Sequence, residues 1–301
     1  MKTRLIAAGL AVAVLLVVVL LNETGPGPCT SSAASSCLAS YVPSPTTVTS
    51  VVPSPRSSLP AATFDPPPSL PIAPSPIPTP PVYTFRDEFN GKTLGAVWGR
   101  HWDGFGTTTF SRSQISLGNG LLTIRARRSG SRYIGGLIDT VGTFTQRYGV
   151  FSARIKIQAG NGLWPAFWLA QPQNALHQQA EIDAMEVCAN DAGMYNGNDI
   201  TLLHHYVHRA DGSRSYAIGY RTDNLAGAWH VYSVEWRPDH VTFYFDGLAT
   251  STFTVANNGD VPDMKMAIVL DQAVGGRFCG ATDATTPAVA TLQVDWVRVT
   301  R

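Results

Sequence analysis

From Tyr83 onward the chain alternates apolar and polar positions in short runs separated by turn residues, the period-two signature of half-buried strands. "FSARIKI" sets Phe151, Ala153, Ile155 and Ile157 on one side and Ser152, Arg154 and Lys156 on the other. "HVYSVEW" and "VTFYF" follow, and the second runs into Asp246-Gly247, a strong hairpin signal. "LATSTFTV" reads as the return strand, and "MKMAIVL" and "TLQVDWVRV" supply late strands. No stretch carries helical periodicity over three turns. The pattern predicts an all-β fold, a two-sheet β-jelly roll sandwich. Trp236, Trp296, Phe243 and Phe245 fall in alternating strands and are assigned to its core. "NGLWPAFWLA" is Gly-flanked and interrupted by proline, a poor central strand. Trp164 is therefore expected to face a groove, and Trp168 either the core or the groove.

The preceding residues obey a different rule. Leu5 to Leu21 is apolar apart from Gly9 and follows two positive charges. This is an export signal, long for a cleaved peptide and short for a span, so residues 1–21 are a signal peptide or signal anchor. Residues 22–82 are rich in Pro, Ser and Thr and almost uncharged, an extended linker unable to bury a core. The expectation is one folded domain, 83–301, outside the cell, secreted or tethered by the N-terminal segment. A net charge of +1 with no basic block argues against nucleic acid as a partner. Four cysteines suit an oxidising location. They allow three connectivities, of which Cys29–Cys37 with Cys188–Cys279 is the simplest.

Within the strand-rich region, "AEIDAMEV" packs Glu181, Asp183 and Glu186 into six positions among apolar neighbours. On a regular strand Glu181 and Asp183 share a face and Glu186 points away. The apolar pattern slips by one residue here, with Ile182 and Ala184 on one parity and Met185 and Val187 on the other. A β-bulge accounts for the slip and returns Glu186 to the face of the other two acids. The glutamates then stand ~13 Å apart at the backbone, and side chains leaning together can reach the roughly 5–5.5 Å of a retaining glycosidase. The alternatives are a solvated acidic face or a calcium site.

"EIDAME" resembles the active-site signature of glycoside hydrolase family 16 in its bulged form, as in laminarinase-like endo-β-1,3-glucanases. "FRDEFNGKTLGAVW", "YGVFSARIKIQAGNGLWPAFWLA", "WHVYSVEWRPDHVTFYFDG", "LDQAVGG" and "VDWVRV" resemble further family segments in the same order. The resemblance implies a concanavalin-like jelly roll with an open cleft on its concave face, acting with retention and needing no cofactor. By position, Glu181 is the nucleophile, Asp183 its assistant and Glu186 the general acid/base. Trp164, one of His204 and His205, and, as further substrate-binding candidates, Trp168 and Trp102 complete the expected cleft. Some relatives hold a structural calcium at positions like Glu88 and Asp295. The implied partner is a polysaccharide or oligosaccharide, bound by a monomer that meets a membrane only through its N-terminal segment.

The chain departs from that pattern near the cleft. "LHQQAEID" puts His177 and Gln178 where an aromatic platform is expected, and Asp271 stands where the family commonly has Asn. Cys279 falls in a loop bordering the cleft, and Cys188 follows Glu186 by two residues. Hydrolysis of a β-linked glycan, with β-1,3- or mixed-linkage glucan first, is the leading expectation. A non-catalytic lectin-like module on a stalk, a stalked wall protein and a transglycosylase are the rivals.

Overall fold

The computed structural model describes residues 81–172, 180–190, 198–209 and 216–301. The export segment, the linker up to residue 80, the Cys29–Cys37 pair, and His177 with Gln178 lie outside the described residues. Six strands form an inner sheet in the order Tyr216–Arg221, Leu202–His208, Glu181–Val187, Leu163–Ala170, Ala267–Val274 and Arg132–Asp139. The hydrogen-bonded path then turns through Leu121–Ser129 into an outer layer of Val289–Thr300, Gly149–Ile157, His230–Trp236, His240–Phe245 and Leu248–Thr254. Every pairing along this path is antiparallel, and the fold is the expected all-β jelly roll.

The two layers read differently because their faces meet different surroundings. Gly149–Ile157 alternates buried and half-buried residues, since its outer face meets solvent. Ala267–Val274 is buried at every position. One face packs on the outer layer, and the other carries a second apolar cluster that includes Trp102, Phe110, Leu137, Trp168 and Val269. Such doubly covered strands lose their alternation.

Trp236, Phe243 and Phe245 lie in the core as expected. Trp296 does not. A register shift between Val294 and Trp296 moves the buried parity to Val297 and Val299, and Trp296 turns outward under the Arg298 guanidinium, 4.2 Å from its ring. "NGLWPAFWLA" also corrects the sequence reading, for Leu163–Ala170 is a central strand. Pro165 is tolerated because the ladder to Glu181–Val187 begins only at Ala166. The strand read as "MKMAIVL" starts at Ala267 and continues through Asp271 to Val274. Asp246 and Gly247 adopt φ of 48° and 80° in the two-residue loop between Phe245 and Leu248, as a twisted hairpin requires. Cys188 and Cys279 are disulfide-bonded, tying the end of the acid strand (Glu181–Val187) to the loop after Ala267–Val274.

The acid strand carries the bulge. Asp183 lies opposite Trp168 and Glu186 opposite Ala166, so three steps on the acid strand span two on the tryptophan strand (Leu163–Ala170). The same slip occurs against the histidine strand (Leu202–His208), where Asp183 faces Tyr206 and Glu186 faces His204. Ala184 and Met185 are both fully buried, since the extra residue puts two consecutive side chains on the core side. A bulge also interrupts the ladder, and His205 repairs it. Its Nδ1 donates to the Ala184 carbonyl at 3.0 Å, its Nε2 lies 3.1 Å from Thr250 Oγ1, and its ring stacks on Phe243 at 4.4 Å. Burial pushes the pKa of His205 down to about 4, keeping it neutral. Leucine at this position would leave a buried carbonyl unsatisfied. His205→Leu is expected to lower unfolding free energy by about 1–3 kcal/mol, read from denaturant titration.

Candidate active site

Register places side chains of the inner sheet's concave face in rows across the strands. One row runs Leu137, Asp271, Ala166, Glu186 and His204. The next runs Asp139, Val269, Trp168, Asp183 and Tyr206. A third runs Ala267, Ala170, Glu181 and His208. The small residues Ala166 and Ala170 leave room beside the acids, and a pocket of about 210 Å³ opens there. Phe105, Trp164, Ala166, Trp168, Glu181, Asp183, Glu186 and Asp271 line it. No lysine or arginine is among these lining residues.

Each acid has a distinct setting. Glu186 Oε1 accepts a 2.7 Å hydrogen bond from Trp164 Nε1. Desolvation outweighs that bond and, with the charges of Glu181 and Asp271, pushes Glu186 up to about 8. Asp183 is 2% exposed. Burial and the charge of Glu186 raise its pKa well above the carboxylate range, while a hydrogen bond with Glu181 works the other way. Glu181 keeps 26% of its side chain exposed. His208 Nε2 stands 3.2 Å from Asp183 Oδ2 and 3.9 Å from Glu181 Oε1. Asp271 accepts a 2.9 Å bond from Trp168 Nε1 and is pushed up to about 7, chiefly by burial.

The other expected residues divide. Trp164 and Trp168 line the pocket. Trp102 sits behind it, buried edge-on against Trp168 at 5.1 Å. His204 lies on the acid face opposite Glu186, whereas His205 lies between the sheets. His204, Tyr206 and His208 stack along their strand at 5.9 and 5.4 Å, with Phe278 edge-on to the first two and tilted against Trp164. Burial pushes His204 down to about 4.

The structure does not join Glu88 and Asp295 as a calcium site. Glu88 takes a bidentate pair of 2.9 Å bonds from Arg298, and Asp295 binds Arg154 at 2.6 Å. Carboxylates committed to guanidinium groups do not fit the oxygen-rich shell calcium needs. Among the described residues, the one group with three potential metal donors within 4.8 Å is Glu181, Asp183 and His208. Those three are interlocked with the acid cluster itself, and we read them as part of it.

The sequence profile of glycosyl hydrolases family 16 matches residues 105–298. The chain belongs to that family. It is 28% identical over 255 residues to glucan endo-1,3-beta-glucosidase A1 of Niallia circulans, a match covering 71% of this chain and 37% of the relative. It is 30% identical over 178 residues to keratan-sulfate endo-1,4-beta-galactosidase of Sphingobacterium multivorum, covering 56% and 40%. The chain thus spans well under half the length of these two relatives. Among solved structures, endo-beta-1,3-glucanase from Pyrococcus furiosus superposes with a TM-score of 0.62 at 27% identity, over 72% of this chain and 93% of that one.

Strand register sets the residues that surround the acids. His208 and Tyr206 join His204 beside them, and "HHYVH" carries the signal, since positions 204, 206 and 208 share one strand face. Phe278 and Phe105 lie in or beside loops, where no periodicity marks a facing direction.

A buried acid that holds its proton supports folding at low pH and withdraws that support as the pH climbs toward its folded pKa. For Glu186 the window runs from its ordinary 4.5 to about 8. Glu186→Gln is therefore expected to melt above wild type at pH 8, with the gap closing toward pH 5, as read by calorimetry across that range.

Proposed function

We propose that this domain is a retaining endo-glycosidase that hydrolyses a neutral β-linked polysaccharide, with β-1,3- or mixed-linkage β-glucan as its substrate. The observation that carries the reading is the bulge. It gathers Glu181, Asp183 and Glu186 in one open pocket where their proton demands differ. Glu186 holds its proton through neutral pH and so serves as the general acid at the leaving oxygen. Glu181, partly solvated and with His208 beside it, is the nucleophile that attacks the anomeric carbon. Asp183 binds Glu181 through a shared hydrogen bond and orients it. The first step forms the C1–O bond to Glu181 and breaks the glycosidic bond, the leaving oxygen taking the proton of Glu186. Water then gives a proton back to Glu186 and displaces Glu181, restoring the anomeric configuration.

The pocket lining supports the neutral substrate class. Its described lining has four carboxyls and no lysine or arginine, so it offers a sulfated or uronate sugar no cation to pair with at this position. Trp164, with Phe105 6.3 Å away, offers the apolar ring faces that sugars stack on. The glucan preference leans on the Niallia circulans and Pyrococcus furiosus relatives. An extracellular setting is supported by the apolar N-terminal run, the Pro-rich segment after it and the Cys188–Cys279 bond.

The full chain assayed on laminarin, mixed-linkage barley glucan and galactan is expected to release oligosaccharides from at least one glucan. Glu181→Gln is expected to lose on the order of 10³-fold or more in kcat. Unimpaired hydrolysis by that variant would falsify the nucleophile assignment. Binding of glucan without cleavage by wild type would instead favour the lectin-like reading.

A further inference from the structure

We propose that Asp271 is a fourth working carboxyl of the cleft, a positioning residue whose negative charge keeps the proton on Glu186. This deepens the hydrolytic reading above and rests on it for the role of Glu186, but its own grounds are geometric.

Asp271 is 2% exposed, yet it lines the same pocket as the three acids of the bulged strand. In the row Asp271, Ala166, Glu186, only alanine stands between the two carboxyls. Two strand spacings put their backbones about 9–10 Å apart, and both side chains reach inward from there. A methyl group neither fills nor screens that gap. Trp164 and Trp168 flank Ala166 on the same strand face, two residues to either side. One indole donates to Glu186 and the other to Asp271, so the two carboxyls are held by matching clamps.

Among the described residues that line the pocket with Asp271, none is a lysine or arginine. From the acid strand it meets Glu181, Asp183 and Glu186, and beyond them His204, Tyr206 and His208 lie on the histidine strand. From Arg132–Asp139 the facing titratable group is Asp139, already bound to His101 at 2.7 Å. The strand bearing Trp164 and Trp168 offers only indoles. The Gly104–Phe105 strand offers nothing charged.

Two carboxyls lining one pocket with only an alanine between them do not ionise independently. Asp271 gives up its proton near 7 and Glu186 near 8. Once Asp271 is charged, its field opposes the second ionisation and so adds, above about pH 7, to the burial that keeps the acid loaded. Asparagine in the same place would keep the shape and still accept from Trp168, without the charge. At this separation the charge is worth on the order of one pH unit to Glu186.

The test follows Glu186 directly, by carboxyl carbon NMR titration in wild type, Asp271→Asn and Asp271→Glu, beside pH profiles of kcat/KM on a cleaved glucan. Asp271→Asn is expected to lower the Glu186 midpoint and the alkaline limb together by about one unit, with the acidic limb in place. Asp271→Glu keeps a charge and is expected to hold both near wild type. A Glu186 midpoint that stays put or rises in Asp271→Asn overturns the proposal. So does a rate that falls equally at every pH, which would mark a purely structural role. If wild type cleaved nothing, the hydrolytic reading would fail while the NMR titration still decided whether Asp271 governs the Glu186 proton.

Discussion

One surplus residue in one strand determines how this cleft is built. Without Ala184 as an extra step, strict alternation would send Glu186 into the apolar space between the sheets, where a carboxyl has no partner. With it, Ala184 and Met185 both turn to the core and all three acids face the cleft. The bulge exposes a backbone carbonyl to the interior, and His205 answers it from the neighbouring strand. Of the two adjacent histidines, His205 is therefore a support of the backbone that aims the acids, and His204 is the one on the cleft face.

The cleft then has to hold four carboxyls within a few strand spacings of one another. It does so by withholding water from some of them and by giving two an indole donor each. Burial wins over those hydrogen bonds, so Glu186, Asp183 and Asp271 all titrate above the ordinary carboxylate range, Asp271 before Glu186. Crowding that would be a liability on a solvated face becomes a way to divide protonated from charged groups. The stacked rings of His204, Tyr206 and His208 close the same cleft on its far side.

The sequence displayed the β class, the hairpin at Asp246-Gly247 and the slip in "EIDAMEV" because each is a local pattern of period two. It concealed Trp296 because the parity change at the second bulge, near Asp295, sets Trp296 and Val297 side by side, and the pattern alone does not say which of the two turns inward. The pairing of Glu88 with Arg298 and of Asp295 with Arg154 was equally hidden, since it joins segments far apart in the chain. Asp271 could be noticed as unusual from its position alone. Its closeness to Glu186 became visible only with the strand order, which inserts the tryptophan strand between two segments 85 residues apart.

The covalent link between Cys188 and Cys279 lies two residues past Glu186 and eight past Asp271. It fastens the two carboxyl-bearing strands to each other around the tryptophan strand, much as a lacing sets the width of a seam. A chain still in reducing surroundings lacks that fastening, and its cleft mouth is held only by backbone pairing and ring contacts. The final spacing of the acids is then set by oxidation as well as by folding.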